Sequence, residues 1–148
     1  RNLHLVRALV IEEASAEISL DTSFVLEWTG TFKTREELER KVGARLATSL
    51  RDSLRETAEG WRLAFEPGDM VTSQAHVNGN HWADWLATSC PALLIRGQDS
   101  RVTTQEHLQQ MESRRPNTHF LTLQGGHIVH LDNAAGFAEA VKKFLDEL

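Results

Sequence analysis

Three short apolar segments, each followed at once by polar residues, constrain the fold of this chain more than any other feature. The segments are residues 5–11, 92–95 and 119–123. Continuous apolar runs of this length are typical of strands that are buried on both faces. From Pro91 onward the predicted strands alternate with helices, which favours a parallel sheet with right-handed crossovers. The sequence therefore predicts an α/β fold with parallel strands flanked by helices.

The carboxyl ends of these strands are the expected place for functional groups. In open parallel sheets, ligands and catalytic residues lie beyond the carboxyl ends of the strands. Here those positions hold Glu12 and Glu13, residues 97–100, and residues 125–127. Each of the three apolar segments thus leads directly into polar or ionisable residues. We expect these residues to meet at one edge of the sheet.

Helices are predicted from two capping boxes and from apolar periodicity. Residues 34–37 and 103–106 both have Thr at the N-cap and Glu three positions later. Behind the first box, apolar residues at every fourth position predict one long helix that ends near Gly60, through Leu38, Val42, Leu46, Leu50 and Leu54. The last helix should begin near Asp132 and bury one apolar face, formed by Phe137, Val141, Phe144, Leu145 and Leu148.

The composition excludes several classes of protein. The chain has 148 residues, of which 41% are hydrophobic and 25% are charged, as in soluble globular domains. A net charge of -5 argues against binding nucleic acid or an anionic membrane, because phosphates require clustered Lys and Arg. The single cysteine, Cys90, excludes an internal disulfide and a Cys-rich zinc site. It also favours a reducing, cytoplasmic setting.

At the strand ends the sequence resembles the α/β-hydrolase superfamily. Val-Arg-Ala-Leu-Val-Ile-Glu-Glu (6–13) is similar to the sixth strand of that fold, and residues 82–97 resemble the entry into its seventh strand. Gly125-Gly126-His127 is similar to the loop that bears the catalytic histidine. The resemblance spans the whole chain. It implies that residues 1–14 and 89–148 form the C-terminal part of the hydrolase core, and that residues 15–88 form a helical lid.

The nucleophile motif of that family is absent from the sequence. In the family a Ser, Asp or Cys nucleophile lies within Gly-x-Ser-x-Gly or its variants, on a tight strand-to-helix turn. No two of the nine glycines lie four positions apart. We therefore expect the chain to be a fragment, or to be joined by a second polypeptide that supplies the first five strands. The chain alone is expected to be inactive.

His127 is the strongest candidate for a catalytic residue. An imidazole exchanges protons near neutral pH, and the preceding glycines allow the backbone to bend. The family's usual acid follows the seventh strand as Gly-x-x-Asp, but here Ser100 has that position and Asp99 lies one residue early. Some members carry the acid after the sixth strand, where Glu13 lies. Glu13 is the favoured acid, Asp99 is the alternative, and Glu12 is interpreted as a structural neighbour.

The other histidines and the tryptophans allow more than one interpretation. His127 and His130 could form a metal pair, but their loop setting and the lack of a carboxylate cluster argue against zinc. No metal and no cofactor are expected. Trp28, Trp61 and Trp82 fall in the proposed lid. They could line an apolar substrate pocket, or they could simply pack the lid.

The resemblance implies a hydrolase that acts on a small, largely apolar ester or lactone through a nucleophile, His127 and an acid. Its expected partners are a small-molecule substrate and the N-terminal half of the fold, in cis or as another chain, with a homo-oligomer also open. An Asp nucleophile would instead imply an epoxide hydrolase or a dehalogenase. The third alternative is a non-catalytic, hydrolase-like binding module, which the Ser100 substitution favours.

Overall fold

The computed structural model describes residues 5–148, except for the side chain of Arg45, and it divides into two compact units. The sheet unit contains the chain up to residue 18 together with residues 80–148, and the inserted unit contains residues 19–79. The sequence analysis placed these divisions after residues 14 and 88.

In chain order the elements are β1 (Leu9–Glu12), β2 (Glu17–Ile18), a 3-10 helix (Ser23–Trp28), α1 (Arg35–Val42), α2 (Ala44–Ser49), a 3-10 turn (Arg51–Ser53), β3 (Leu54–Thr57), β4 (Gly60–Leu63), α3 (Pro67–Val77), β5 (Gly79–Asn80), α4 (Trp82–Leu86), β6 (Ala92–Gly97), α5 (Gln105–Arg114), β7 (Thr118–Leu123), α6 (Val129–Asp132) and α7 (Ala134–Asp146).

The sheet unit is built on a three-stranded parallel sheet with the order β1-β6-β7. Its register pairs Leu9 with Ala92 on one side of β6, and Ala92 with Thr118 on the other. The first four residues of β6, Ala92 to Ile95, are at most 5% exposed. A strand buried on both faces requires the continuous apolar run that the sequence shows. The predicted α/β fold with parallel strands and flanking helices is confirmed.

Alternate residues of β6 pack into two separate apolar clusters. Leu94 lies in a cluster with Trp85 of α4 and Leu108 and Met111 of α5. Leu93 and Ile95 lie in the other cluster together with the buried Val129 and Phe144, and Phe137 packs against it. Because successive side chains of a strand point to opposite faces, these clusters are the two faces of the sheet. The helices therefore cover both faces, and α6 and α7 share one of them.

Two details of the predicted helices in the sheet unit are wrong. The N-cap of α5 is Thr104, whose hydroxyl accepts from the backbone N–H of His107, and not Thr103. The Thr103 side chain is instead buried in a polar contact described below. In α7, Phe144 is buried as expected, but Leu145 is 51% exposed, and Leu148, beyond the end of the helix, is 50% exposed.

The inserted unit shows that the predicted long helix is also wrong. Gly43 ends α1 with φ 91° and ψ 139°, and the chain restarts as the short helix α2. Leu54 then opens the antiparallel hairpin of β3 and β4. The same apolar residues still form the core of the unit, in which the buried members are Val25, Trp28, Leu38, Val42, Ala47, Leu54 and Leu63. The sequence thus predicted that these residues are buried, but it did not predict the secondary structure that they form.

Candidate active site

The carboxyl ends of β1, β6 and β7 meet at one edge of the sheet and bring three loops together. Glu13 directly follows β1, and its backbone N–H donates to the carbonyl of Ile95 at 2.9 Å. Its φ of 53° lies in the left-handed region, which non-glycine residues seldom adopt. Strained backbone of this kind clusters at functional sites. The turn at Glu13 places its carboxyl group beneath the loops that follow β6 and β7.

The Glu13 carboxylate is buried and receives three hydrogen bonds from the last residue of β6 and the segment that follows it. Its Oε1 accepts from the backbone N–H of Gly97 at 2.6 Å. Its Oε2 accepts from the hydroxyls of Ser100 at 2.5 Å and Thr103 at 3.1 Å. The residue is only 4% exposed. A buried carboxylate is costly unless it is hydrogen-bonded, and these donors serve both of its oxygens.

His127 approaches the same carboxylate from the loop after β7. Its Nδ1 lies 3.5 Å from Glu13 Oε2, while 53% of the His127 side chain is exposed and 1% of the Glu13 side chain. This distance exceeds that of a standard N–H···O hydrogen bond, about 2.7–3.2 Å. Contacts between catalytic groups commonly tighten when substrate binds. The arrangement pairs one ring nitrogen with a buried acid and leaves the ring accessible from solvent.

The backbone near His127 is held against the end of β6 at a distance that only glycine permits. A Cβ atom on Gly97 would lie 2.0 Å from the carbonyl oxygen of Gly126 and 2.7 Å from that of Gly125. The backbone N–H of Asp99 donates to the Gly125 carbonyl at 2.9 Å. The N–H of Gly126 donates to the carboxylate of Asp132 at 2.7 Å. These contacts fix the loop that carries His127.

The structure brings Glu13 and His127 together, and it does not bring Asp99 to them. The Asp99 side chain is exposed and makes no hydrogen bond or ion pair with any residue from 5 to 148. Ser100, at the position of the family's usual acid, donates to Glu13 instead. The sequence analysis missed the contribution of Ser100 and Thr103. The only available signal was Ser100 itself, a short hydroxyl at a position where a carboxylate was expected.

A second pair of a carboxylate and a histidine lies beside the first. Glu12 Oε2 lies 2.8 Å from the Nδ1 of His130, and Glu12 Oε1 accepts from the backbone N–H of His130 at 2.9 Å. Both pairs join the end of β1 to the segment that runs from the loop after β7 into α6. The interpretation of Glu12 as a neighbour of the site did not foresee this contact.

The three tryptophans proposed for a substrate pocket have distinct surroundings. Trp28 is 4% exposed in the core of the inserted unit, and Trp61 packs against that core. Trp82 belongs to the sheet unit, where its indole N–H donates to Glu17 and its ring lies beneath the guanidinium of Arg114. Trp28 has a clear packing role. The substrate-pocket assignment stays a prediction.

Metal binding has no evident site in the part of the chain that is described. Within residues 5–148, no three or more His, Cys, Asp or Glu side chains are grouped so that they could hold a metal ion. The rings of His127 and His130 each face a different glutamate, so the two histidines are not arranged as a pair of ligands to one metal.

None of the helices in residues 5–148 is both long enough and apolar enough to cross a membrane.

Substitution of Ser100 by Ala is expected to lower the free energy of unfolding by about 1–3 kcal/mol, because it removes the hydroxyl that donates to Oε2 of the buried Glu13 carboxylate. Urea unfolding followed by circular dichroism measures the change. Ser113→Ala is the matched control, since the Ser113 hydroxyl is exposed and donates only to a carbonyl of its own helix. An equal effect of the two substitutions would contradict the importance of the Ser100 bond.

Comparisons with known proteins give structural relatives but no sequence relatives. No family profile matches the chain, and no curated protein matches it by sequence. Its structure is similar to that of E-2-(acetamidomethylene)succinate hydrolase, with a TM-score of 0.75 at 18% identity over 96% of this chain and 58% of that one. The enol-lactonase from Burkholderia xenovorans LB400 gives a TM-score of 0.71 at 14% identity, over 99% and 58% of the two chains. The thioesterase domain from the curacin biosynthetic pathway gives 0.66 at 16% identity, over 92% and 57%.

These comparisons define the fold and its extent. The chain spans less than three fifths of the length of each of these three structures. At identities below 20% the likeness concerns the fold, and function must be argued from the site. The parallel order β1-β6-β7, the inserted unit between β1 and β6 and the final helix α7 agree with the resemblance found in the sequence. The chain therefore has the C-terminal part of the α/β-hydrolase fold.

Proposed function

We propose that this chain supplies the general base and the orienting acid of a hydrolase that acts on a small, largely apolar ester or lactone. One observation carries the proposal: the buried Glu13 carboxylate faces the Nδ1 of the half-exposed His127 at 3.5 Å. Nucleophilic hydrolysis of this kind uses a histidine as the base, and a buried carboxylate orients that histidine through its second ring nitrogen. The neighbours named as an enol-lactonase and a thioesterase domain support acyl-transfer chemistry.

In the proposed reaction, a hydroxyl nucleophile attacks the carbonyl carbon of the substrate. Nε2 of His127 takes the proton of that hydroxyl and later gives it to the leaving alcohol. Glu13 accepts a hydrogen bond from the Nδ1–H of His127, which fixes the tautomer of the ring and stabilises the imidazolium that forms. A water molecule then attacks the acyl-enzyme, and His127 removes the proton of that water in the same way. No cofactor takes part in these steps.

The nucleophile and the oxyanion-binding amides of this proposal come from a segment outside residues 1–148. The sequence lacks the glycine spacing of a nucleophile elbow. The Ser100 substitution, which favoured a binding module, is accounted for by the hydrogen bond of Ser100 to Glu13. The hydrolase proposal is therefore preferred to the binding module.

Reconstitution tests the proposed function. The chain alone should show no His127-dependent hydrolysis of p-nitrophenyl acetate, because no acyl-enzyme can form without the nucleophile. Joined in cis or in trans to a nucleophile-bearing N-terminal segment of the fold, it should hydrolyse this ester. His127→Ala should then lower kcat by at least about 10³-fold, as expected for a member of a catalytic triad.

The matched control for this experiment is His76→Ala, which removes an exposed histidine of the inserted unit. It corrects for the imidazole background of surface histidines. Turnover by the reconstituted protein that is equal in His127→Ala and His76→Ala would contradict the proposal. Ligand binding without any turnover would favour the binding module instead.

The same proposal assigns the exposed edge of the sheet to the N-terminal segment. β1 is an edge strand, and Val10 within it is 38% exposed. Leu5, Val6, Leu145 and Leu148 are exposed as well and line one shared groove. Edge strands with apolar surroundings readily pair with another chain. The preceding strands of the fold would pair with β1 and cover this surface.

The chain without its N-terminal segment is expected to self-associate through this edge. Sedimentation velocity at micromolar concentration should show dimers or larger species. Val10→Lys, which places a charge on the edge, should shift the distribution towards monomer. Val77→Lys serves as the control, because Val77 is 47% exposed on α3 of the inserted unit. A stable monomer of the unmodified chain would contradict the assignment.

A further inference from the structure

Glu12 and His130 form a connection between β1 and α6 whose geometry is more specific than a surface ion pair. The two oxygens of Glu12 engage both the ring and the backbone of His130, at 2.8 Å to Nδ1 and 2.9 Å to the backbone nitrogen. The Glu12 side chain is 20% exposed, and the His130 side chain is 50% exposed. The other side of the His130 ring contacts Phe137 edge-on, with 6.0 Å between the ring centroids. One carboxylate thus fixes both the backbone and the ring of one residue.

The turn at Glu13 explains how two successive carboxylates reach the same segment. In a regular strand, successive side chains point to opposite faces of the sheet. The left-handed φ of Glu13 interrupts this alternation directly after β1. Glu12 therefore meets His130, and Glu13 meets His127 three residues earlier in the same segment. The end of β1 holds this segment at two points.

The short helix α6 depends on Glu12 for an acceptor at its start. Its N-cap residue is Ile128, which offers no side-chain hydrogen bond to the first backbone N–H groups. Helix ends leave these groups unsatisfied unless an outside partner accepts from them. Glu12 accepts from the N–H of His130, and the buried Val129 anchors the same turn in the core. The position of His127 relative to Glu13 follows from how this turn is held.

We infer that Glu12 and His130 are a pair of positioning residues that hold the ring of His127 on Glu13. This inference rests on the proposed function. An exposed ion pair adds little to global stability. Removal of the pair should therefore leave the fold and the contacts of Gly125 and Gly126 intact but loosen the chain from His127 to His130. His127 would then lose its fixed tautomer.

The test is ¹⁵N NMR of the chain labelled at histidine, recorded by magic-angle spinning so that self-association does not interfere. The His127 signals are assigned by their loss in His127→Ala. In the unmodified chain, neutral His127 should carry its proton on Nδ1, facing Glu13. In Glu12→Ala and in His130→Ala, this tautomer should give way to the Nε2–H form that free histidine prefers. Glu139→Ala, at an exposed position of α7, should change nothing.

The outcomes separate this inference from the proposed function. An Nδ1–H tautomer of His127 that persists in both Glu12→Ala and His130→Ala overturns the positioning pair alone. An unmodified chain whose His127 already has the Nε2–H form contradicts the Glu13–His127 pairing, and both proposals fail with it. If Glu12→Ala does not fold, His130→Ala decides the question alone, because it removes the ring contact with Glu12 and keeps the backbone N–H of residue 130. A gain of the Nε2–H form of His127 in His130→Ala then supports the inference, and an unchanged Nδ1–H form overturns it.

Discussion

Replacement of Glu13 by Gln should lower kcat of the reconstituted hydrolase by about 10⁴-fold, the loss found when the acid of a serine-protease triad becomes an amide. The amide can hold the wrong tautomer of His127 and cannot stabilise the imidazolium. KM should change little, because Glu13 acts on the charge that develops in the transition state. Steady-state kinetics with p-nitrophenyl acetate measures both constants.

Asp99→Asn is the matched control for this substitution. Asp99 lies in the same group of loops, but its side chain is exposed. The control should change kcat by no more than about a factor of two, the range of an ordinary surface substitution. A large loss of kcat in Asp99→Asn together with a small loss in Glu13→Gln would show that the acid has been assigned to the wrong residue.

Gly97→Ala should have the largest effect on the integrity of the site. The added Cβ would lie 2.0 Å from the Gly126 carbonyl oxygen, and backbone atoms cannot move aside as a flexible side chain can. We expect a loss of about 3 kcal/mol or more in the free energy of unfolding, at the upper end of the cost of overpacking. The loop that carries His127 must also move away from β6.

Gly68→Ala provides the matched control for that experiment. A Cβ at Gly68, in the first turn of α3, would meet nothing within 4 Å. Alanine also suits a helix better than glycine does, so this variant should be neutral or slightly stabilised. Thermal unfolding of both variants under identical conditions measures the difference. Equal melting temperatures for Gly97→Ala and the unmodified chain would contradict the close approach of the two loops.

The parallel sheet and the Glu13–His127 meeting were predictable because both follow from local sequence and from one rule of topology. Apolar runs identify the strands, and parallel strands present their carboxyl ends at one edge. Glu13 lies two residues after the first run and His127 lies four residues after the third. Once the strands are parallel, both residues lie at the same edge of the sheet.

The inserted unit was harder to predict because its spacing fits two kinds of structure. Apolar residues at every fourth position match a helix face, but they also match the alternation of a strand, whose period is two. Leu38 and Val42 do lie on a helix, whereas Leu54 lies in a hairpin. The left-handed φ of Gly43 breaks the helix, and a single glycine within a helical pattern is weak evidence for such a break.

The hydrogen bonds of Ser100 and Thr103 could not be predicted from sequence. Their hydroxyls reach Glu13 across separations of 87 and 90 residues, and the contact depends on how closely β1 and the loop after β6 approach. The Glu12–His130 contact was hidden for another reason. It requires the positive φ of Glu13, which nothing about a glutamate in a sequence indicates.

The distance between His127 Nδ1 and the nearest carboxylate oxygen, in a crystal structure of the reconstituted hydrolase with a boronic acid bound to its nucleophile, tests the central claim most directly. The account predicts that Glu13 Oε2 moves from 3.5 Å to within hydrogen-bonding range, about 2.7–3.2 Å. Ser100 and Thr103 should remain bonded to the same carboxylate. A structure in which Asp99 accepts from His127 while Glu13 faces away would contradict the account.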